Sequence, residues 1–259
     1  MSTSNPHETV AQLILNAKFC VCLTGAGIST ESGIPDFRDP ESGLWAKYQP
    51  EIYANYENFL KDPTLFWAMA EKIAPNFFKA KPNQAHIVLA NLERDGLLKA
   101  IITQNVDGLH QQAGSRMVFE LHGNTFEFEC IGCHGSYSYK RMQQKIKTEK
   151  ALGPTCDVCG MPLKPSVVLF GEDIPRGAWL ESVSVAEKSD LFLVCGSSLN
   201  VAPACTLPGL ALKRNSKLVI LNQGITELDE QAAVIIREPL ASCMEKIYKL
   251  IVKAKQNKK

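Results

Sequence analysis

Thr24-Gly25-Ala26-Gly27-Ile28-Ser29, running on through Gly33-Ile34-Pro35-Asp36-Phe37-Arg38, decides the fold class, because it joins a glycine turn to a second polar segment. The apolar run Phe19 to Leu23 just before it reads as a buried parallel strand. Gly25 and Gly27 let the chain turn sharply with backbone N–H groups facing a pyrophosphate, the arrangement of a dinucleotide pocket. The spacing departs from G-x-G-x-x-G, since Thr30 stands at the third glycine position and the next glycine is Gly33. On spacing alone an ordinary turn stays open.

Working outward, Asn5 caps a helix that starts at Pro6 and buries Val10, Leu13, Ile14 and Ala17. Residues 39–58 carry Pro, Gly, Tyr and acidic side chains without a period and suggest a loop covering a ligand. Asp62-Pro63 opens a helix with Phe66, Met69, Ile73 and Phe77 on one stripe, and a second helix, with Ala85, Val88, Leu89 and Leu92 inward, stops at Gly96. The strand Ala100 to Thr103 follows. Further apolar strands are expected at Ser166 to Phe170, Asp190 to Cys195 and Lys217 to Leu221, with a last amphipathic helix from Pro239 burying Leu240, Cys243, Ile247 and Leu250. Helices alternating with apolar strands make an α/β chain: a Rossmann-type parallel sheet with helices on both faces.

The 259 residues hold 28 Lys plus Arg against 27 Asp plus Glu, so a net charge of +1 offers no field for nucleic acid or an anionic membrane. No apolar run approaches the roughly 20 residues of a membrane span, and no secretory signal opens the chain. A soluble, cytoplasmic protein is expected.

Nine cysteines are present, four of them in the C-x2-C pairs Cys130/Cys133 and Cys156/Cys159. In a reducing compartment two such knuckles point to a tetrahedral zinc ion rather than disulfides. Four thiolates leave no open position, so the ion is structural. Its module spans about Phe126 to Leu163, with short Tyr-rich strands and a Lys-rich helix near Arg141 to Lys150. Cys20, Cys22, Cys195, Cys205 and Cys243 lie in apolar segments and read as buried packing residues.

Thr103-Gln104-Asn105-Val106-Asp107-Gly108-Leu109-His110 begins at a strand's C-terminal end, where ligands bind in open α/β sheets. Gln104 and Asn105 offer amide donors and acceptors to ribose hydroxyls, and Asp107 an acceptor for a carboxamide N–H; a helix cap is the plainer reading of Asn105 or Asp107. His122-Gly123 sits between the sheet and the cysteine module, and an imidazole with an ordinary pKa of about 6.5 can take a proton from a hydroxyl at neutral pH. Val168 and Phe170, in P-S-V-V-L-F-G-E, can lie against an apolar substrate stem. Gly196-Ser197-Ser198 and Asn222 again put polar groups at strand ends, where ordinary turns are equally expected.

In this order, G-A-G-I-S, G-I-P-D-F-R, T-Q-N-V-D-G-L-H, H-G, the two C-x2-C pairs, V-V-L-F-G-E, G-S-S-L and L-N resemble the sirtuin family of NAD-dependent protein deacylases, over nearly the whole chain. The resemblance implies an NAD-binding domain of residues 1–38, 79–123 and 165–259, a cofactor loop and helical module at 39–78, and a zinc module at 124–164. It implies NAD contacts from Gly25, Ala26, Gly27, Thr30, Asp36, Phe37, Arg38, Gln104, Asn105, Gly196, Ser197, Ser198 and Asn222. Val106 and Asp107 would form the nicotinamide pocket, Val168, Phe170 and Val201 the acyl-lysine tunnel, and His122 and Asn105 the catalytic pair.

The implied reaction consumes NAD. The acyl oxygen attacks the ribose carbon bearing nicotinamide and expels nicotinamide, leaving an alkylimidate; His122 as general base lets the 2′-oxygen attack the imidate carbon, and water collapses the intermediate to O-acyl-ADP-ribose and free lysine. The enzyme would thus be an acyl transferase to ADP-ribose acting on acylated protein lysines. Relatives that prefer succinyl or malonyl groups carry Tyr-x-x-Arg where this chain reads Phe66-Trp67-Ala68-Met69-Ala70-Glu71-Lys72. An apolar wall with Glu71 nearby points to acetyl or longer apolar acyl groups. Two alternatives are protein mono-ADP-ribosyltransfer and a nucleic-acid-binding zinc ribbon using Lys140, Arg141, Lys145, Lys147 and Lys150. The sequence leaves the oligomeric state undetermined.

Overall fold

A computed structural model describes residues 5–36, 48–149 and 153–257. Helix α1 (Pro6–Asn16) starts where Asn5 accepts the His7 amide on its side chain and a proline occupies the first turn, so no N–H there is stranded. It buries Val10, Ala11 and Ile14, while Leu13 and the C-cap residue Ala17 are only partly covered. Strand β1 (Cys20–Thr24) follows and is buried at every residue.

Five strands join β1 in one parallel sheet: β2 (Ala100–Thr103), β3 (Val118–Glu120), β7 (Leu191–Cys195), β8 (Lys217–Leu221) and β9 (Val234–Ile236). Their order is β3-β2-β1-β7-β8-β9, so the chain reverses its winding between β1 and β7. Ligands bind at the carboxyl ends of such a pair. Helices α1, α5 (Gln84–Arg94) and α10 (Leu240–Gln256) cover one face through Ile14, Leu89, Leu92, Ile247 and Ile251, packed on Cys22, Ile101 and Leu193. Helices α8 (Arg176–Lys188) and α9 (Leu207–Lys213) cover the other through Ala186 and Ala211, packed on the alternate residues Leu23, Ile102 and Val194. Both faces being covered explains why these strands read as unbroken apolar runs. The edge strand β9 had no such signal, because its first two residues are only half buried.

The rest of the chain forms a second region. Helices α2 (Pro50–Tyr53) and α3 (Tyr56–Lys61) break up the aperiodic stretch read as loop; each is too short to show a period. Asp62 accepts the Thr64 amide and starts α4 (Pro63–Lys79), which buries Phe66, Met69 and Phe77 of the expected stripe, while Ile73 is only partly covered. Strand β4 (Gly123–Cys130) lies between β5 (Ser136–Ser138) and β6 (Leu163–Val167) in an antiparallel sheet, with α7 (Tyr139–Thr148) against it.

Here the strand expected at Ser166 to Phe170 is corrected. The strand is Leu163–Val167, and it pairs with β4 instead of entering the parallel sheet. Leu163 is fully buried beside Cys130 and Met142, which draws the segment into the cysteine module's core. Beyond it Val168 donates its amide to His122 O, and Phe170 N to Ala54 O. Two further expectations shift: Cys205 is only half buried, and Leu250 is partly covered. Among the described residues, no helix is long and apolar enough to cross a membrane.

Candidate active site

The turns after β1 and β7 press against each other at the point where the sheet reverses. Gly25 N donates to Cys195 O and Gly27 N to Gly196 O, at 3.2 and 2.9 Å. A Cβ on Gly25 would stand 2.8 Å from Gly196 O, and one on Gly27 2.9 Å from both Gly196 Cα and O. The two glycines serve close approach between neighbouring turns, and their N–H groups are spent there.

Behind the turn lies a buried polar network that sequence reading did not single out. Ser29 Oγ donates to Asp107 Oδ2 at 2.7 Å and accepts from Asn105 Nδ2 at 3.1 Å. The other Asn105 amide hydrogen goes to Gly25 O at 3.1 Å, so Asn105 offers a ligand only its carbonyl oxygen. Asp107 Oδ1 accepts the Leu109 amide at the start of α6 (Leu109–Ala113), but the N-cap of that helix is Gly108, so the plainer reading of Asn105 or Asp107 as its cap is corrected. Burial raises the Asp107 pKa, opposed by those hydrogen bonds.

His86 Nε2 stands 3.5 Å from Ser29 Oγ, while its Nδ1 accepts the Asn83 amide at 3.4 Å. Neutral His86 thus carries its proton on Nε2 and donates to Ser29. His110, ring centroid 5.0 Å away, contacts Thr24 Oγ1 through Nε2 at 2.9 Å, and Thr24 donates in turn to Thr103. Among the described residues, His110 Nδ1 is buried without a hydrogen-bond partner. Burial lowers the two pKa values to about 4 for His86 and about 3 for His110, where the neighbouring ring adds to the effect. His110 closed a motif already quoted. His86 lay among apolar residues of α5, and Ser29 within the glycine stretch, so only their convergence marks them.

In front of the network opens a cleft of about 1330 Å³ between the sheet and the second region. Ala26, Gln104, Asn105, Val106 and His122 line it, together with Val168, Phe170 and Val201. His122 Nδ1 lies 3.0 Å from Gln104 O. A carbonyl only accepts, so neutral His122 holds its proton on Nδ1 and its lone pair on Nε2. Gln104 Nε2 donates to Ser197 Oγ at 2.8 Å, tying the exits of β2 and β7 together. Thr30, Asp36, Asp107, Gly196, Ser197, Ser198 and Asn222 do not line this cleft, and Phe37 and Arg38 lie outside the described residues. Asn222 Nδ2 is engaged by Gly224 O.

Trp67, Phe128 and Ile73 extend the cleft wall as apolar surface, and Glu71 joins its rim. Gly123 is required beside His122: its φ is +69°, and a Cβ would stand 1.7 Å from Ser166 O.

The Sγ atoms of Cys130, Cys133, Cys156 and Cys159 all lie within 4.8 Å of one another, with 3.4 Å between Cys130 and Cys159 and 3.6 Å between Cys133 and Cys156. Thiolates about 2.3 Å from a tetrahedral zinc stand roughly 3.8 Å apart, so the cluster fits that ion. Gly132 and Cys133 amides donate to Cys130 Sγ, the Val158 amide to Cys156 Sγ, and the Tyr137 hydroxyl to Cys156 Sγ. The Tyr137 bond comes first among the causes that lower the Cys156 pKa to about 6. Arg141 and Lys145, phosphate contacts on the zinc-ribbon alternative, are instead paired with Asp157, and Lys145 also with Glu149.

Known proteins share this architecture. The Sir2 family model matches residues 25–203. A protein of Saccharolobus solfataricus named NAD-dependent protein deacetylase is 45% identical over 241 residues, 93% of this chain and 95% of its own. One of the same name from Sulfolobus acidocaldarius is 48% identical over 231 residues, 89% of each chain. A solved Sir2 variant with a deacetylated p53 peptide and 3'-O-acetyl ADP-ribose superposes with a TM-score of 0.88 at 38% identity, covering 93% of this chain and 97% of its own. With the reversed sheet, the glycine turns in contact and the four-cysteine cluster all inside or beside the matched span, the chain belongs to the Sir2 family.

Proposed function

We propose that this chain removes acetyl, or longer apolar acyl, groups from protein lysine side chains with NAD as co-substrate, releasing nicotinamide and O-acyl-ADP-ribose. One observation carries the reading. The same cleft is lined by the polar groups of His122, Gln104 and Asn105 at the sheet's reversal point, its polar wall, and by the apolar side chains of Val106, Val168, Phe170 and Val201, its apolar wall.

The polar wall fits a dinucleotide. Ala26, Gln104 and Asn105 meet it directly, with Gly25, Gly27 and Gly196 bringing the two turns together; Thr30, Asp36, Ser197, Ser198 and Asn222 are assigned to NAD by their motifs alone. NAD supplies the ribose carbon that gives up nicotinamide and the hydroxyls that receive the acyl group. His122 is the general base: its Nδ1–H is held by Gln104 O, so Nε2 takes the hydroxyl proton. Asn105 orients a hydroxyl or water through its carbonyl oxygen, since its N–H groups are engaged elsewhere. Val106 and Asp107 bound the nicotinamide pocket, the carboxylate being fixed from behind by Ser29. The apolar wall receives the acyl-lysine stem, with Glu71 at the rim disfavouring anionic acyl chains. The four thiolates hold a zinc ion that closes the module and takes no part in the chemistry.

On this reading residues 1–38, 79–123 and 165–259 form the NAD-binding domain, 39–78 the cofactor loop and helical module, of which 39–47 lie outside the described residues, and 124–164 the zinc module. The free thiols suit a reducing compartment, the cytoplasm.

The test is mass spectrometry of an acetyl-lysine peptide incubated with the protein, with and without NAD, beside the His122→Ala variant. Deacetylation that requires NAD, yields O-acetyl-ADP-ribose and vanishes in the variant is the expected result. A folded, zinc-loaded protein that leaves acetyl and long-chain acyl peptides intact would overturn it.

A further inference from the structure

Lys164 is a lysine with only 4% of its surface exposed, and the chemistry above leaves its ammonium without a role. It sits on β6, one residue before the Pro165 to Glu172 segment that supplies Val168 and Phe170 to the cleft. Its Nζ donates to Val167 O at 2.9 Å and stands 3.2 Å from Glu172 Oε2, with Pro165 O at 3.4 Å and Glu129 Oε1 at 3.5 Å. Glu172 Oε2 also accepts the Leu169 amide at 2.8 Å, and the Glu172 amide returns to Leu169 O at 3.0 Å. One ammonium therefore holds both ends of the Val167–Glu172 stretch.

The same stretch is fixed at two other points. Val168 N donates to His122 O, and Phe170 exchanges backbone hydrogen bonds with Ala54 and Tyr56. The β4–β6 pairing is irregular between Gly123 and Phe128, which places Lys164 beside a break in the ladder. A buried ion pair is a poor source of net stability, because desolvation offsets most of the attraction. A buried lysine spanning such a break is better explained by the backbone geometry it fixes.

We propose that Lys164, acting through Val167 O and the Glu172 carboxylate, is a positioning residue for the acylated peptide: it sets the course of the cleft wall along which the acyl-lysine substrate lies, and leaves the NAD side of the cleft unaffected. The inference rests on the deacylase reading given above. It predicts a selective defect. Loss of the ammonium leaves Val167 O and Glu172 without their partner, the wall shifts, and peptide affinity falls while the turns near Gly25 and Gly196 keep their contacts.

The experiment is steady-state kinetics with an acetyl-lysine peptide and NAD varied separately, on wild type, Lys164→Met, Lys164→Arg, Glu172→Gln and the double variant Lys164→Met/Glu172→Gln, with zinc content and thermal unfolding measured for each. The double variant removes both charges and keeps an acceptor for the Leu169 amide, so it stays available if Lys164→Met alone fails to fold. The expected result is a peptide KM raised about tenfold or more in the Met and double variants, with kcat and the KM for NAD within about twofold of wild type. Lys164→Arg should recover most of the loss. An unchanged peptide KM in a folded variant, or equal losses toward peptide and NAD, overturns the inference. Absence of NAD-dependent turnover in wild type overturns instead the reading on which it rests.

Discussion

Ser29 Oγ donates a 2.7 Å hydrogen bond to Asp107 Oδ2, linking the exits of β1 and β2, residues 78 positions apart in sequence. Because Ser29 also accepts from Asn105 and lies within reach of His86, one hydroxyl orients three side chains behind the cleft. Ser29→Ala should cost about 1–3 kcal/mol of stability, since Asp107 and Asn105 lose a buried partner. The KM for NAD should rise with it. Urea unfolding and NAD titration of the rate check both; a variant with wild-type stability and NAD dependence would show the hydroxyl to be dispensable.

The close approach at the sheet's reversal predicts opposite outcomes for two glycines. Gly27→Ala drives a Cβ into Gly196 backbone atoms 2.9 Å away, and should destabilise by about 1–3 kcal/mol while weakening NAD binding. Gly209, inside α9, would bring a Cβ within 4 Å of nothing among the described residues, and its φ is not left-handed. Gly209→Ala should stabilise by about 0.5–1 kcal/mol without touching activity. Thermal denaturation of the pair decides the matter.

Zinc content is the third measurement. Purified protein should carry about one zinc per chain, held by the four thiolates. Its removal by a chelator should lower the unfolding temperature and abolish turnover, and zinc alone among added salts should restore both. Full activity and an unchanged melt in metal-free protein would refute a structural ion.

Acid should undermine the fold through the buried histidine pair. Both folded-state pKa values, about 4 for His86 and about 3 for His110, lie below the ordinary 6.5 of an unfolded histidine. The unfolded chain then binds more protons between about pH 6.5 and 4, so stability is fully present above that range and lost as pH falls through it. At pH 5 the loss is about 2 kcal/mol per histidine. Asp107, raised by burial, works in the opposite sense and trims the effect. Equilibrium urea unfolding at pH 7, 6 and 5 should show the decline, and His86→Gln should flatten it. Equal slopes in both proteins would remove His86 from the account.

How legible the molecule was depends on the range of the interactions concerned. Asn5 and Asp62 announce helix starts because a cap needs only its own amides two residues on. The strands β1, β2, β7 and β8 stand out because a sheet covered on both faces demands continuous apolar residues. The cysteine pairs declare themselves by spacing. By contrast, β6 and β9 were misplaced or missed: the first is claimed by the core around Leu163, and the second is a half-covered edge.

The sequence by itself determined the α/β class, the four-cysteine cluster and the motifs that make the Sir2 resemblance, since each rests on periodicity, capping or ligand spacing within a few residues. Only the tertiary structure decided what those residues do for one another. It turned the Gly25 and Gly27 amides inward to Cys195 and Gly196, spent the Asn105 N–H groups, set Gln104 O against His122, and brought Lys164 beneath the wall that carries Val168 and Phe170. The reason is physical. Those contacts join segments far apart in the chain, so they exist only once strand order and the crossing of the two turns have brought donor and acceptor within reach.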